Sequence, residues 1–325
     1  MRGFLRAVLA AVSLVCAAPP GHGDERVLRI GYVFPQGSQL GAGASRFAAE
    51  VARRTGGAFR IEPYPNSTAG GELEMAEDVR LGHLDMVFIT SSSFASLLPD
   101  FGIFDIPFLF RDAAHAHAVF DGPIGTTYLA RFRQKGLVAL AWGENGMRHI
   151  TNARRPVSAP EDLRGLSLRL PPSEVMIRGF ESLGAKAVPL PFPALFGALQ
   201  SGEVEGQENP VATIVAAQFD RVQRHLTLSG HVYSWAALVM APATWETLSP
   251  AERQVFAEAA RLGGQVSREV AGRGEREGVE ALRRGGMSVV AHVDRARFAE
   301  ALEPAFAAYG QRFGVETIQQ IKSVQ

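Results

Sequence analysis

Thiols are nearly absent from this sequence of 325 residues. The only cysteine is Cys16, and it lies in an N-terminal segment, residues 1–23, that is predicted to be removed. The remaining chain would contain no thiol, which excludes disulfides, cysteine nucleophiles and cysteine metal sites. Such a composition is compatible with an oxidising compartment outside the cytoplasm.

The N-terminal segment has the pattern of a secretory signal peptide. Arg2 and Arg6 precede the apolar run AVLAAVSLVCAA, and small residues around Gly21 and Gly23 suit a signal peptidase. A lipoprotein is the alternative, but Val15 is bulky where a small residue normally precedes a lipidated cysteine. The sequence therefore predicts export to the periplasm and cleavage near residue 23.

The chain also has no net charge and no later apolar run of transmembrane length. The 33 basic and 33 acidic residues give a formal charge of +0, so the sequence lacks the excess of basic residues that is typical of nucleic-acid-binding proteins. With 46% hydrophobic residues, the mature chain is expected to be soluble and globular. Its partner is expected to be a small molecule or another protein.

Motifs that carry catalysis are missing as well. The sequence has no HExxH pair, no GxSxG elbow, no P-loop and no complete GxGxxG, since GAGASR (41–46) lacks the third glycine. The eight histidines show no metal-ligand spacing. These absences predict a protein that is not an enzyme and that carries no cofactor and no metal.

What the sequence does contain is a repeated alternation of strands and helices. Apolar strand patterns with helical patterns between them predict an α/β fold. The first set of strands lies at 27–34, 58–65, 84–90 and 136–142, and a new set begins at 166–170. Two successive sets predict two lobes, with the apolar segment 231–242 returning to the first.

The predicted domain boundaries follow from this pattern. They are a signal peptide (1–23), lobe 1 (24–147, with the return of about 231–248), lobe 2 (148–230, with about 285–325) and a bridging helix (249–284). Ser249, Pro250 and Glu252 fit the N-cap, first position and capping box of that helix. At 1.5 Å per residue it would be on the order of 50 Å long, enough to brace both lobes. Its glycines at 263, 264 and 272 are where it would bend or break.

Arg169 is the leading candidate for ligand binding. In LSLRLPP, the leucines at 166, 168 and 170 alternate with Ser167 and Arg169, so the arginine leaves the apolar side of a strand. Pro171 and Pro172 end the strand and place the guanidinium at its carboxyl end, where open α/β sheets hold ligands. We expect Arg169 to bind a carboxylate through two hydrogen bonds. The alternative is a salt bridge between the lobes.

Three polar candidates lie in or near the same stretch. Arg148, in a loop predicted after the strand at 136–142, is either a second ligand contact or a surface charge. Asn209 is expected to cap a helix that begins at Pro210, and it could also orient a bound carboxylate. Glu208 beside it is a ligand contact or a support for the loop.

Three further candidates lie elsewhere in the chain. Glu72 stands near a helix start, where a carboxylate suits the helix dipole without any function. Phe192 and Trp235 either belong to the core or line a pocket. Trp235 and the hydroxyl-rich segment TSSS (90–93) slightly favour a hydroxylated ligand.

Taken together, the motifs resemble those of the solute-binding proteins of tripartite ATP-independent periplasmic (TRAP) transporters, the DctP family. The segments that carry the resemblance are GGELEMAEDVRLGHLDM, GMRHITNARRPVSAPEDLRGLSLRLPPSEV, LGAKAVPLPFPALFGALQSGEVEGQENP and FDRVQRHLTLSGHVYSW, with LRLP and GQENP the most specific. The resemblance implies a two-lobed periplasmic-binding-protein-like fold with a ligand cleft between the lobes and a long helix across both. It implies that Arg169 binds the ligand carboxylate, with contributions at the positions of Arg148, Asn209, Phe192 and Glu72. NARRPV carries an extra residue relative to the family pattern, and Glu205 stands where aspartate is usual.

The resulting hypothesis is a periplasmic receptor for a small carboxylate, an organic acid such as a sugar acid or a dicarboxylate. By the resemblance it would deliver its ligand to the integral membrane subunits of a TRAP permease, and we expect it to be a monomer. The alternative is a periplasmic sensor that presents the same class of ligand to a membrane receptor.

Overall fold

The computed structural model describes residues 25–325, so the predicted signal peptide and Cys16 lie outside the described residues. One sheet of nine strands runs through the described part of the chain. The strands are β1 (Arg26–Gly31), β2 (Phe59–Tyr64), β3 (Met86–Thr90), β4 (Val138–Asn152), β5 (Ser167–Leu170), β6 (Lys186–Pro189), β7 (Gly206–Pro210), β8 (His225–Met240) and β9 (Ser288–Val290).

Helices pack against this sheet. The α-helices are α1 (Gln39–Arg54), α2 (Glu72–Leu81), α3 (Ser91–Leu97), α4 (Ala113–Asp121), α5 (Pro123–Arg131), α6 (Glu174–Ser182), α7 (Phe192–Ser201), α8 (Val211–Ala216), α9 (Pro242–Glu246), α10 (Pro250–Arg284), α11 (Arg295–Ala301), α12 (Glu303–Phe313) and α13 (Val315–Ser323). The 3-10 helices are Pro99–Asp105, Phe132–Lys135, Pro160–Leu163 and Phe219–Arg221. Within residues 25–325, none of the helices combines the length and apolar character needed to span a bilayer.

The order of the strands divides the sheet into two lobes. Neighbours run β2-β1-β3-β8-β4-β7-β5-β6, and β9 pairs with β8. We call the half around β2, β1 and β3 the first lobe and the half around β7, β5 and β6 the second lobe. Inside each half the pairs β1 with β2 and β5 with β6 are parallel, whereas the long central strands β4 and β8 pair antiparallel and pass through both halves. The predicted two-lobed α/β fold is confirmed.

Two apolar clusters form the core. The larger one includes buried residues of β1, β3 and β8 and extends to Leu168 and Leu170 of β5 and to Leu166, which directly precedes this strand. A smaller one packs around α7 and α8 and includes Leu195, Val211 and Phe219. The leucine alternation predicted for LSLRLPP is therefore used to anchor β5.

Both central strands are longer than the sequence predicted. β4 continues to Asn152 and β8 begins at His225, because residues 148–152 of β4 pair with β7 on one side and the start of β8 on the other. The polar segment GQENP is the strand β7, and its five residues are all buried. The predicted helix start at Pro210 with Asn209 as its cap is therefore wrong, since α8 begins at Val211 and Pro210 occupies the N-cap position.

The long helix α10 is continuous from Pro250 to Arg284, as predicted, and contacts α1 in the first lobe and α8 in the second. Ser249 Oγ accepts a hydrogen bond from the Glu252 amide, and the Glu252 carboxylate accepts one from the Ser249 amide. Two of its glycines allow close approach. A Cβ at Gly264 would lie 2.0 Å from the carbonyl oxygen of Trp142, and one at Gly263 would lie 2.7 Å from that of Gly43.

The Gly- and Ser-rich segment QGSQLGAGAS (36–45) has the composition of a loop that leads into a helix around FAAEVARRT, but this prediction is wrong. Helix α1 begins at Gln39, with Ser38 Oγ accepting a hydrogen bond from the Gly41 amide. Gly43 lies where α1 crosses α10, and a Cβ there would meet the carbonyl oxygen of Gly263 at 2.6 Å. The glycines serve helix packing instead of loop flexibility.

The sequence of residues 295–313 predicts one final amphipathic helix, but this range forms two helices, α11 and α12, and α13 follows them. Pro304 in the first turn of α12 lacks the amide that would continue α11. Tyr309 of α12 donates a hydrogen bond to the carbonyl of Val175 in α6. Arg111, just before α4, donates to the carbonyls of Lys322 and Val324. The C-terminal helices therefore contact both lobes.

Candidate functional site

A cavity of about 460 Å³ opens between the two lobes, a volume typical of small-molecule sites. Residues of the β2–α2 connection, α2 and α3 line one side, and Arg169 of β5 together with residues that follow β5 and β6 lines the other. The lining residues are Ser67, Gly70, Gly71, Glu72, Leu73, Glu74, Ser93, Arg169, Pro171, Pro172, Pro191, Phe192 and Pro193. Three of the predicted site residues, Glu72, Arg169 and Phe192, are brought together here.

Arg169 lies near the end of β5 and is buried, with only 3% of its surface exposed to solvent. Its Nε donates to the carbonyl oxygen of Leu190 at 2.8 Å, and it forms no salt bridge with any carboxylate in residues 25–325. Burial is the largest cause that lowers the pKa of Arg169; the nearby Arg148 also lowers it, Glu208 and Glu72 oppose the shift, and the resulting pKa is about 10. The group stays cationic at neutral pH and lacks a counter-ion within the described chain.

Glu72 is the first residue of α2 and reaches the same cavity from the first lobe. Its Oε1 accepts a hydrogen bond from the Thr90 amide at 2.9 Å, and its Oε2 accepts from Thr90 Oγ1 at 2.9 Å and Ser93 Oγ at 2.7 Å. Thr90 ends β3, so the strand end and the helix start fix the carboxylate between them. A carboxylate has about four acceptor positions, and one therefore remains on Oε1.

Phe192 contributes an aromatic wall that joins the lobes. Its ring meets the ring of Phe34 edge to face, with centroids 4.8 Å apart and an interplanar angle of 78°. Phe34 follows β1 in the first lobe, whereas Phe192 starts α7 in the second. This contact holds the two sides of the cavity together.

Arg148 and Glu208 lie beside the cavity and bind each other. Arg148 Nη2 donates to Glu208 Oε1 and to the Glu208 carbonyl, both at 2.7 Å, and Nε donates to Oε2. His231 completes the cluster, with Nε2 at 3.1 Å from Glu208 Oε2. Burial alone would raise the pKa of Glu208, but Arg148 and His231 more than offset it, so its pKa is lowered.

The loop predicted around Arg148 is wrong, since the residue lies inside β4 and is 3% exposed. Neither Arg148 nor Glu208 lines the cavity. The pair nevertheless influences the site, because Arg148 is close enough to lower the pKa of Arg169.

Asn209 is buried in β7 and does not line the cavity. Its Nδ2 donates to Gln207 Oε1, and Gln207 Nε2 donates to Thr151 Oγ1 at 2.8 Å. This row of amides crosses from β7 to β4. In the arrangement seen here, Asn209 stabilises the centre of the sheet.

Trp235 lies in β8 and is fully buried. Its ring stacks on Phe94 at 5.9 Å and meets Trp142 edge to face at 5.0 Å. Trp235 does not line the cavity. Of the two interpretations of the sequence, a core residue or a residue that lines a pocket, the structure supports the core residue.

Some residues of the site were not singled out from the sequence. Ser67 and Gly70 belong to the turn after β2, and Phe34 lies beyond β1. Asn66-Ser67-Thr68 matches a glycosylation sequon, although a turn is the better prediction for it. The positive φ of Asn66 and Ser67, 55° and 58°, confirms the turn. A turn that ends a parallel strand was a signal for the cavity edge, but it carries no information on which side chain faces a ligand.

The arrangement can hold a molecule with an anionic end and a hydrogen-bond donor. Arg169 supplies an unpaired guanidinium, and Glu72 opposite supplies one unused acceptor position. No group of three or more His, Cys, Asp or Glu side chains that could hold a metal ion occurs in residues 25–325. The site chemistry is that of binding through charge and hydrogen bonds.

Comparison with known proteins gives consistent matches. Residues 30–312 match the family model DctP, described as bacterial extracellular solute-binding protein, family 7. The chain is similar to a TRAP periplasmic solute binding protein from Polaromonas sp. JS666 bound to D-erythronate, with 42% identity, a TM-score of 0.91 and coverage of 93% of this chain and 99% of that one. It is also similar to one from Bordetella bronchispeptica with density assigned to pantoate, with 39% identity, a TM-score of 0.90 and coverage of 93% and 100%. The 2,3-diketo-L-gulonate-binding periplasmic protein YiaO of Escherichia coli K12 is 35% identical over 275 residues, 85% of this chain and 84% of that protein.

Proposed function

Since the chain belongs to the DctP family of bacterial extracellular solute-binding proteins, family 7, we propose that it is the receptor of a TRAP transporter and binds a hydroxylated monocarboxylate between its lobes. The family predicted from the sequence motifs is thereby confirmed. The observation that carries the ligand proposal is the buried guanidinium of Arg169, which faces the cavity without a carboxylate partner in the described chain.

A buried, unpaired cation is costly to the folded protein and is compensated when an anion binds. The planar fork of arginine suits a carboxylate in a bidentate arrangement. A hydrogen bond to a charged group contributes roughly 1.5–3 kcal/mol, so loss of this contact weakens binding by about tenfold or more. We propose that Arg169 sets the requirement for one ligand carboxylate.

Glu72 argues for a hydroxyl group at the other end of the ligand. Its remaining acceptor position suits a hydroxyl donor, whereas a second ligand carboxylate there would be repelled by a like charge and would lack a donor. D-erythronate and pantoate, found with the similar proteins, each have one carboxylate and at least two hydroxyls. Between the sugar acids and dicarboxylates considered from the sequence, we therefore propose the hydroxylated acids.

The family works with membrane permease components, and we propose that this chain delivers its ligand to such a permease. The finer points are proposals as well: cleavage of residues 1–23, a periplasmic location, a monomeric state and no chemical change of the ligand. We propose an indirect role for three residues that lie beside the cavity without lining it, in which they support the residues that do; these are Arg148, Glu208 and Asn209. Direct binding of ligand-loaded protein to the purified permease separates this receptor from a sensor.

The first test is thermal unfolding of the mature chain, residues 24–325, against a panel of acids. The panel contains D-erythronate, pantoate, galactonate and succinate, with erythritol as a neutral analogue of D-erythronate. A ligand at about 100 times its dissociation constant stabilises the protein by roughly 2.7 kcal/mol, a clear shift in the unfolding temperature. We expect a shift with a hydroxylated monocarboxylate and none with erythritol.

Arg169→Ala provides the matched variant for this test. The shift is expected to disappear, and Arg169→Lys is expected to restore little of it, because an ammonium group cannot form the bidentate contact. An equal shift with erythritol, or an unchanged shift in Arg169→Ala, would contradict the proposal.

A further inference from the structure

We propose that Asp105 takes up a proton when a carboxylate ligand enters the cavity, so that the protein binds the anion and a proton together. This inference rests on the proposed function, because the ligand's negative charge drives the uptake. Asp105 does not line the cavity, so its interaction with the ligand is electrostatic and not a direct contact.

Asp105 ends the 3-10 helix Pro99–Asp105, and its side chain is fully buried. Ser173 Oγ donates to its Oδ2 at 2.8 Å, whereas Oδ1 has no hydrogen-bond partner in the described residues. A buried carboxylate normally has its oxygens satisfied by donors or cations. The geometry around Oδ1 therefore favours the neutral carboxylic acid.

Asp105 is also connected to the binding site through the chain. Ser173 is the N-cap of α6, and it directly follows Pro172, which lines the cavity. The hydrogen bond from Ser173 thus joins Asp105 of the first lobe to the segment that begins at Arg169. A charge added in the cavity therefore changes the electrostatic potential at both Ser173 and Asp105.

The titratable groups around Asp105 belong to several elements. Arg148 of β4 attracts it, but Arg148 is already bound by Glu208 of β7, which repels it. β8 contributes His231, which is bound to Glu208. From α12 comes Tyr309, whose hydroxyl donates to a backbone carbonyl. Ser91 at the start of α3 and Ser173 at the N-cap of α6 contribute hydroxyls that favour the ionised form, and of the two only Ser173 donates a hydrogen bond to Asp105 in this arrangement.

Burial outweighs these attractions and raises the pKa of Asp105 from 3.8 to about 6. A ligand carboxylate next to Arg169 adds a negative charge close to Arg148, the only cation that opposes the shift in this cluster. The pKa of Asp105 therefore rises further in the complex. At pH values between the pKa of Asp105 in the free protein and its pKa in the complex, ligand binding is accompanied by uptake of a proton.

The sign of the pH dependence follows. The complex holds more protons than the free protein in this window, so the affinity increases as the pH falls towards about 6 and is constant below it. For each unit by which the ligand raises the pKa, the affinity changes by about tenfold across the window. The ligand's own carboxyl titrates near roughly 3.5 and does not contribute there.

The test is titration calorimetry at about pH 7 in buffers with different ionisation enthalpies, with D-erythronate or the panel acid that gives the largest thermal shift. The dependence of the observed heat on buffer enthalpy gives the number of protons taken up. We expect uptake in the wild type, none in Asp105→Asn, and unchanged uptake in Asp100→Asn. Asp100 is the matched control, since it lies in the same 3-10 helix but is exposed.

Ser173→Ala provides an independent variant if Asp105→Asn does not fold. It removes a hydrogen bond that favours the ionised form, so the midpoint of the affinity profile should move to higher pH. Binding without proton uptake, or uptake that persists in Asp105→Asn, overturns this inference and leaves the receptor function intact. Absence of binding by any carboxylate overturns the proposed function, and the inference with it.

Discussion

Arg148 and Glu208 form a closed pair at the junction of β4 and β7. Both side chains are almost completely buried, at 4% and 0% exposure, and three hydrogen bonds join them. Arg169, on the neighbouring strand β5, has no such partner in the described chain. The two arginines therefore differ in their pairing, although both are buried.

Arg148→Met should strongly destabilise the protein. The substitution leaves the Glu208 carboxylate buried with only His231 beside it, and breaking a buried ion pair from one side costs about 3–5 kcal/mol. Urea unfolding at neutral pH without ligand measures this loss. As a control, Arg178→Met removes an exposed pair with Glu174 and should cost less than about 1 kcal/mol. Equal effects of the two substitutions would refute the assignment.

Arg169→Met should change the stability of the ligand-free protein by only about 1 kcal/mol, since it leaves no carboxylate unpaired and the loss of one hydrogen bond to the Leu190 carbonyl is opposed by the removal of a buried, unpaired charge. Binding should nevertheless weaken by at least about tenfold. The same urea experiment and a calorimetric titration separate the two effects. A large loss of stability with normal binding would identify Arg169 as a structural residue.

The position of Arg169 could be predicted because its signal is local. The leucine alternation and the two prolines lie within seven residues of LSLRLPP, and Leu166, Leu168 and Leu170 are buried as expected. The pairing of Arg148 could not be predicted in this way, because Glu208 is 60 residues away in sequence. Nothing in GENGMRHITN or GQENP alternates in polarity, so the strands that bring the pair together carry no sequence pattern.

The glycines of α10 show the same limit. Sequence alone marks Gly263, Gly264 and Gly272 as equal weak points of a long helix. In the folded chain the first two are contact points, with α1 and with β4, whereas Gly272 has only the end of the Arg276 side chain nearby. Long-range packing, which propensity does not contain, decides their roles.

Two alanine substitutions in α10 should therefore have opposite effects. Gly264→Ala places a Cβ 2.0 Å from the Trp142 carbonyl oxygen and should destabilise by at least about 1–3 kcal/mol. Gly272→Ala meets only Arg276 at 3.6 Å and should stabilise by roughly 0.5–1 kcal/mol through helix propensity. Thermal and urea unfolding of both variants measure these effects. Destabilisation by Gly272→Ala would show that α10 is not a regular helix at that point.

Asp105→Asn should stabilise the ligand-free protein at neutral and higher pH. The folded pKa of about 6 lies above the unfolded value of 3.8, so the ionised form opposes folding by up to about 3 kcal/mol. The contribution of Asp105 to stability is most favourable below about pH 4, falls as the pH rises to about 6, and is constant above that. Asparagine does not titrate, so the gain should vanish as the pH approaches 4. Urea unfolding of both proteins across this range checks the prediction, and a gain that does not depend on pH would contradict it.

Glu72→Gln should change the selectivity between hydroxylated acids and dicarboxylates. The wild-type carboxylate repels a second ligand carboxylate and accepts from a hydroxyl, whereas the amide is neutral and offers donors. We expect the affinity for D-erythronate to fall and that for succinate to rise, so that their ratio shifts by about tenfold or more. Calorimetric titration with both acids measures the ratio, and Glu74→Gln, a change in another acidic residue of the cavity wall, serves as the control. The hydroxyls of Thr90 and Ser93 can rotate to accept from the new amide, so the fold of α2 should be kept. If the ratio of the two affinities stays the same in Glu72→Gln, or changes equally in Glu74→Gln, then Glu72 does not determine which group the ligand may carry opposite its carboxylate.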